Sequence, residues 1–365
     1  MAVFSELFMR VIGEAGSHAN TVDLIELENF HAWVSSQPKI ETHVHLEAAT
    51  GKEFYAALEH PPSWHERCPW DRVPFQNLRG FIDAWVDLSK SIRSLADFEK
   101  MAESFVAQRA AERIVYSEAY VSPADFSFIR KRFSIAEEVF SFEQVVRAYL
   151  RGLKKGLSVN PGIEVRLIVD SLWISTDEER ELVHEGIKNI FDDGDAGCDA
   201  FGKPLIVGIG LGGMENHRFL EQQREFFAKM RALGLKIDIH SGEGGTAEIH
   251  KRSVESLQPD RVAHGIAGFE ENILFSDNLV MCPLSNILLR TYQGPLNAHP
   301  VFECLRRNIP ISIGSDDPLL LGNSLALEYT FIHAVTGQGY EAFTFTQKNA
   351  RERVFAPGVL KRLDA

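Results

Sequence analysis

Apolar positions along the chain change period repeatedly, and each change marks an element. Phe4, Leu7, Phe8, Val11 and Ile12 recur at helical spacing, and Leu24, Leu27, Phe30 and Val34 do so again before Pro38. Two helices are therefore expected ahead of the main body. From Lys39 onward, short apolar or alternating runs return as KIETHVHLEA, RIVYSEAYVSP, EVRLIVDSLW, PLIVGIGLGG, KIDIHSGE, RVAHGI, NLVMCPLSN and IPISIGSDDP. Between them stand patterns repeating at three and four residues, such as SIAEEVFSFEQVVRAYLRGLKKG and HRFLEQQREFFAKMRALG, the mark of amphipathic helices.

Strands separated by helical crossovers imply a parallel sheet, and this number of units over this length predicts an α/β fold closed as a (β/α)8 TIM barrel. Residues 1–37 are expected to form a helical extension packed on the barrel, and residues 38–365 a single domain. An open doubly wound sheet also alternates, but it places a glycine-rich turn after its first strand. Here HLEAATGKEF has one glycine there, and GIGLGG comes far later. Between the first two strands lies HPPSWHERCPWDRVPFQNLRGFIDAW, rich in proline and aromatic residues. It reads as a helical excursion with its own apolar contacts or, in a functional version, as a lid that shields the top of the barrel from water, with Trp64, Trp70, Phe75 and Phe81 as candidate walls for a flat ligand.

Composition narrows the partners. A formal net charge of −13 over 365 residues speaks against nucleic acid or an anionic membrane as the main partner, since both need a basic footprint. Cys68, Cys198, Cys282 and Cys304 show no C-x-x-C spacing, which fits a reducing, cytoplasmic location and disfavours thiolate zinc ligation. The N-terminal MAVFSELFMRVIGEAG is interrupted by Glu6, Arg10 and Glu14, unlike a signal peptide. No apolar stretch is long enough to span a bilayer. LALEYTFIHAV is expected to pack outside the barrel, and the oligomeric state is not readable.

Candidate chemistry begins with HVHLEA. In an extended strand His43, His45 and Glu47 share one face while Val44 and Leu46 share the other, so both imidazoles converge on one small volume. Barrel chemistry sits at the C-terminal ends of the strands. Those ends supply His240-Ser241-Gly242-Glu243 from the fifth, His264-Gly265 from the sixth and Ser315-Asp316-Asp317-Pro318 from the eighth. Each alone has an ordinary explanation as a cap, a turn or a satisfied core histidine. Together, imidazoles and a carboxylate are the donor types that Zn²⁺ takes while leaving a place for water. His43 and His45 are thus read as metal ligands.

PKIETHVHLEA, HSGEGGTAEI, RVAHGI, CPLSN and SDDP, in this order, resemble the adenosine/adenine deaminase family of the amidohydrolase superfamily, from about Pro38 to the C-terminus. The resemblance implies one Zn²⁺ per chain held by His43, His45, His240 and Asp316. It implies Glu243 as the proton shuttle and His264 as the histidine that orients and activates the water. It places Asp317 against the purine N7 side, the Gly213 backbone N–H against N3, and Glu47 near the sugar or supporting the pocket. The expected reaction is hydrolytic deamination of a 6-aminopurine nucleoside or base to the 6-oxo compound and ammonia. Two departures stand out: Ser241 where alanine is common, and Glu47-Ala48 where many adenosine-specific members have aspartate and glycine. The glutamate is closer to the adenine and aminodeoxyfutalosine deaminase branches. Two rivals are another amidohydrolase with one or two metals, although GIGLGG offers no bridging lysine, and a barrel that only binds or signals.

Overall fold

In the computed structural model, residues 4–15, 23–62, 75, 77–135, 138–269 and 278–363 are described. Eight strands carry the architecture: β1 Lys39–His45, β2 Ile114–Val121, β3 Glu164–Leu172, β4 Ile206–Gly212, β5 Lys236–Ser241, β6 Arg261–His264, β7 Leu279–Met281 and β8 Ile311–Ile313. They pair in chain order and always parallel. The ring closes where β1 meets the end of β8, through a parallel bridge between Val44 and Asp316. There His45 N–H donates to the Asp316 carbonyl at 2.8 Å and Asp316 N–H to the His43 carbonyl at 3.3 Å. The expected (β/α)8 barrel is the fold observed.

Outer helices start where the sequence supplies caps. Ser94 with Asp97, Ser141 with Gln144 and Thr176 with Glu179 form reciprocal capping boxes for helices Leu95–Ala111, Phe142–Val159 and Asp177–Asp192, each satisfying amides that the first turn leaves unpaired. The first two of these helices approach closely. A Cβ on Gly152 would lie 2.0 Å from the Glu99 carbonyl oxygen. SIAEEVFSFEQVVRAYLRGLKKG reads as one helical pattern, and its long helix starts at Phe142, where Ser141 caps it.

The floor of the barrel is polar and filled. Arg261, fully buried, donates to Glu118 at 2.6 Å and to Asp238 at 2.8 Å, with its guanidinium 4.0 Å from the Phe355 ring centre. Such a plug makes the interior a packed core and confines any cavity to the opposite end. The two N-terminal helices, Glu6–Ala15 and Leu24–Ser36, lie against helix Leu325–Thr336. Phe30 stacks on His333 at 4.2 Å, His31 Nδ1 meets Thr330 Oγ1 at 2.9 Å, and Phe4, Phe8, Val11 and Leu27 share a buried cluster with Phe331. LALEYTFIHAV is therefore covered by the chain's own N-terminal helices.

Between β1 and β2, helix Leu95–Ala111 takes the place of the first outer helix, and helix Leu78–Ser91 stands at the mouth. Its Trp85 ring lies 6.1 Å from that of His45, and Leu78 abuts Gly244. Phe75 and Phe81 pack edge to face at 5.7 Å. Trp64 and Trp70 lie outside the described residues. Among the described residues, no helix is long and apolar enough to cross a membrane.

Candidate metal centre

β1 ends at His45, and its last turn sends both imidazoles into the barrel mouth. His43 Nε2 lies 3.1 Å from Asp316 Oδ1, His45 Nε2 lies 3.5 Å from the same oxygen, and His45 Nε2 lies 3.1 Å from His240 Nε2. The four residues expected to bind metal, from three separate strand ends, thus face one point. Donor atoms of His43, His240, His264 and Asp316 all lie within 4.8 Å of one another, as do those of His45, Asp316 and Asp317.

Protonation states suit a cation. Burial, the largest influence, lowers His43 and His45 to about 3 and His240 well below the ordinary histidine value, so all three rings are neutral near pH 7. His240 Nδ1 lies 3.2 Å from the Leu211 carbonyl, which can only accept. The ring proton therefore sits on Nδ1 and Nε2 presents a lone pair. Asp316 is drawn well below the usual carboxylate range by the surrounding histidines, against the opposing effect of burial. Its Oδ2 accepts from Ser285 Oγ at 2.5 Å. Neutral imidazole nitrogens and an ionised carboxylate oxygen, buried and facing one another, are the donor set that zinc takes; the residues present fit the ion.

Backbone strain coincides with this chemistry. His264 has φ 69° and Asp316 φ 64°, a region that costs non-glycine residues energy and is held only where the surroundings insist. Asn286 Nδ2 meets His264 Nδ1 at 3.0 Å, while the buried Nε2 has no hydrogen-bond partner and points toward Glu243 Oε2 at 3.7 Å. Glu243 is raised to about 7, by burial first and then by the charges of Asp316 and Glu215, with His264 opposing. At neutral pH it exchanges a proton readily, as a shuttle must.

The remaining predicted residues fall around this centre. Asp317 is buried, is raised well above the carboxylate range by burial and by Asp316, Glu243 and Glu47, and leaves Oδ1 unpartnered. Gly213 follows β4 at φ 82°, a conformation glycine adopts without steric cost. Glu47 departs from the alternation expected for an extended strand. Leu46 turns helical (φ −55°, ψ −45°) and Glu47 opens a short 3₁₀ turn, so its buried carboxylate is aimed by that turn. Oε1 accepts from Ser122 N–H at 2.8 Å and from Tyr149 Oη at 2.7 Å, and Oε2 has no partner. Burial raises Glu47 to about 7.

Sequence reading missed several supports. Ser285 and Asn286 lie inside the CPLSN segment but signalled no role. Glu328 accepts from Leu284 N–H at 2.8 Å, Ser285 N–H at 3.1 Å and Asn323 Nδ2 at 2.7 Å. Asp170 lies where Cβ atoms on Gly210 and Gly212 would stand, with its oxygens 2.4 and 2.2 Å from those positions. The only available signal was the side-chain-free run G-x-G-x-G in β4, which makes room on the inner face.

One family model, described as adenosine deaminase, matches residues 38–363. The adenine deaminase of Geotalea uraniireducens (strain Rf4) is 27% identical over 348 residues, covering 91% of this chain and 91% of that protein. Among solved structures, an adenine deaminase from Arthrobacter aurescens superposes with a TM-score of 0.72 at 22% identity, covering 90% of this chain and 98% of that one. An amidohydrolase from Burkhoderia ambifaria with bound Zn does so at 0.72 and 19%, covering 94% and 92%. With a single family model spanning every strand of the barrel, the chain belongs to the adenosine deaminase family.

Proposed function

We propose that this protein hydrolyses the C6 amino group of a 6-aminopurine base or nucleoside, releasing ammonia and leaving the 6-oxo purine, with one zinc ion held by His43, His45, His240 and Asp316. The observation that carries this reading is the meeting of that donor set with a carboxyl group poised near pH 7, Glu243, across His264. When bound, zinc supplies Lewis acidity that brings the pKa of a water from 15.7 to roughly 7.

The chain's own groups do the rest. Glu243, in its protonated form, delivers a proton to purine N1 as attack at C6 breaks the ring's aromaticity. His264, held by Asn286, aims Nε2 at the attacking oxygen. Asp317, kept protonated by burial and then by its acidic neighbours, donates to N7, and the Gly213 N–H meets N3 where no side chain obstructs the base. Trp85 and helix Leu78–Ser91 exclude water from one side. Departure of ammonia needs a second proton on the amino group; both protons come from the attacking water, the first returning to the Glu243 carboxylate left by transfer to N1 and the second passing from the C6 hydroxyl to the leaving amine.

Acceptors dominate the wall beyond. The charged groups bearing on Asp170 are Asp125, Glu47 and Asp238, and Glu47 and Asp170 each keep one buried oxygen unpartnered. Burial and mutual repulsion hold these carboxyls above their ordinary values, and none of them is the cation that a phosphate group needs as partner. The substrate is therefore a free base or nucleoside, and relatives named adenine deaminase put adenine first. Ammonia release from adenine, adenosine and AMP on zinc-loaded protein tests this. We expect turnover of adenine or adenosine, AMP slower by on the order of 100-fold, loss of activity with chelator and its return with zinc. Absence of ammonia from every aminopurine would sink the proposal.

A further inference from the structure

Among the described residues outside the proposed metal ligands, four backbone amides converge on one carboxylate at Glu215, just beyond β4. Its Oε1 accepts from the backbone N–H groups of Glu243 at 2.8 Å, Gly244 at 3.0 Å and Gly245 at 3.0 Å, and its Oε2 from Gly242 N–H at 2.9 Å. Four successive amides turned inward form a nest, the concave backbone arrangement that otherwise binds a free anion. Here an internal carboxylate fills it, with charge-assisted hydrogen bonds.

The surrounding glycines make this fit. Gly242 has φ 74°, and a Cβ on Gly245 would lie 2.6 Å from Glu215 Oε2. Below the loop, His250 Nδ1 and Ser241 Oγ meet at 3.0 Å, tying helix Ala247–Leu257 back to β5. Glu215 ties the same loop sideways to β4. The loop held from both sides is the one that carries Glu243.

We infer that Glu215 is a positioning residue for Glu243: by gathering the amides of residues 242–245 it fixes the backbone from which the Glu243 carboxyl reaches the substrate. This rests on the reading given under Proposed function. A loop loosened by a fraction of an ångström still binds the purine through other groups but misplaces the proton, so the loss falls on kcat rather than KM.

The test compares zinc-loaded wild type with Glu215→Gln, Gly245→Ala and Glu215→Gln combined with Glu243→Gln. Glu215→Gln is expected to lower kcat by about 10- to 100-fold with KM within about twofold and zinc content unchanged. Gly245→Ala, which crowds the same carboxylate from the opposite side, should show the same split and serves if Glu215→Gln does not fold. In the Glu243→Gln background, Glu215→Gln should add little, because the group it positions is already disabled. A kcat within about twofold of wild type, or losses that multiply in the double variant, overturns the inference. If wild type deaminates no aminopurine, the proposed function fails on its own. Amide hydrogen exchange at residues 242–245 then decides the inference: protection lost in Glu215→Gln supports it, and unchanged protection overturns it.

Discussion

At the scale of single residues, the centre separates groups that act from groups that hold them. In the proposed reaction Glu243 acts, and Glu243→Gln keeps the shape while removing the transferable proton. We expect kcat to fall by about 10²- to 10⁴-fold with zinc retained, read by ammonia release and metal analysis on the same sample. Unaltered turnover would remove Glu243 from the reaction. Ser285 holds: its hydroxyl donates to Asp316 Oδ2 at 2.5 Å, orienting the oxygen pair for the ion. Ser285→Ala should weaken zinc binding by roughly 10- to 100-fold, measured by competition with a chromophoric chelator. An unchanged affinity would leave the hydroxyl only a packing role. His43, His45, His240, Glu243, His264 and Asp316 were legible because their residue types stand at strand ends in a recognisable order. Ser285, Asn286, Glu215 and Glu328 were not, since each is defined by a partner 22 to 44 positions away, and a lone serine or glutamate carries no periodic signal.

Among elements, packing follows where side chains are missing as much as where they are present. The helix pair Leu95–Ala111 and Phe142–Val159 comes close because Gly152 faces Glu99, and a methyl there would sit 2.0 Å from the Glu99 oxygen. Alanine gains about 1 kcal/mol of helix propensity over glycine, but overpacking costs about 1–3 kcal/mol and more against backbone. Gly152→Ala should therefore lower the urea midpoint, and a raised midpoint would mean that the helices slide apart freely. The strands and their alternation with helices were readable from periodicity because β2 through β5 are long and mostly buried. Ends were less so. β7 and β8 span three residues each, because CPLSN and SDDP leave the sheet early to deliver Ser285, Asn286 and Asp316. Glu47 was assigned to strand alternation, whereas the 3₁₀ turn that carries it is stabilised by Tyr55 Oη donating to its carbonyl at 2.6 Å, a contact without a local pattern.

For the molecule as a whole, many buried acids make stability depend on pH. Burial raises Glu328 from 4.5 to about 8, outweighing its three donors. An acid raised on folding contributes stability fully below its unfolded pKa, and that contribution is lost as pH rises through the folded value. Between pH 6.5 and 8 the buried histidines, neutral in the fold but still partly protonated in the unfolded chain, pull the slope the other way, so the share of Glu328 is read from the difference between wild type and a variant lacking its carboxyl. Across this window the stability of wild type should fall relative to that of Glu328→Gln, by up to about 1.4 kcal/mol per pH unit. Urea titrations at fixed zinc check this, and parallel slopes would contradict it. The seam between β1 and Asp316 has a consequence in time. A ribosome makes His43 and His45 early and Asp316 late, and the same two backbone bonds that join them also complete the ring. A nascent chain thus carries two of the four proposed ligands for most of its synthesis, and the last of them arrives with the segment that completes the ring.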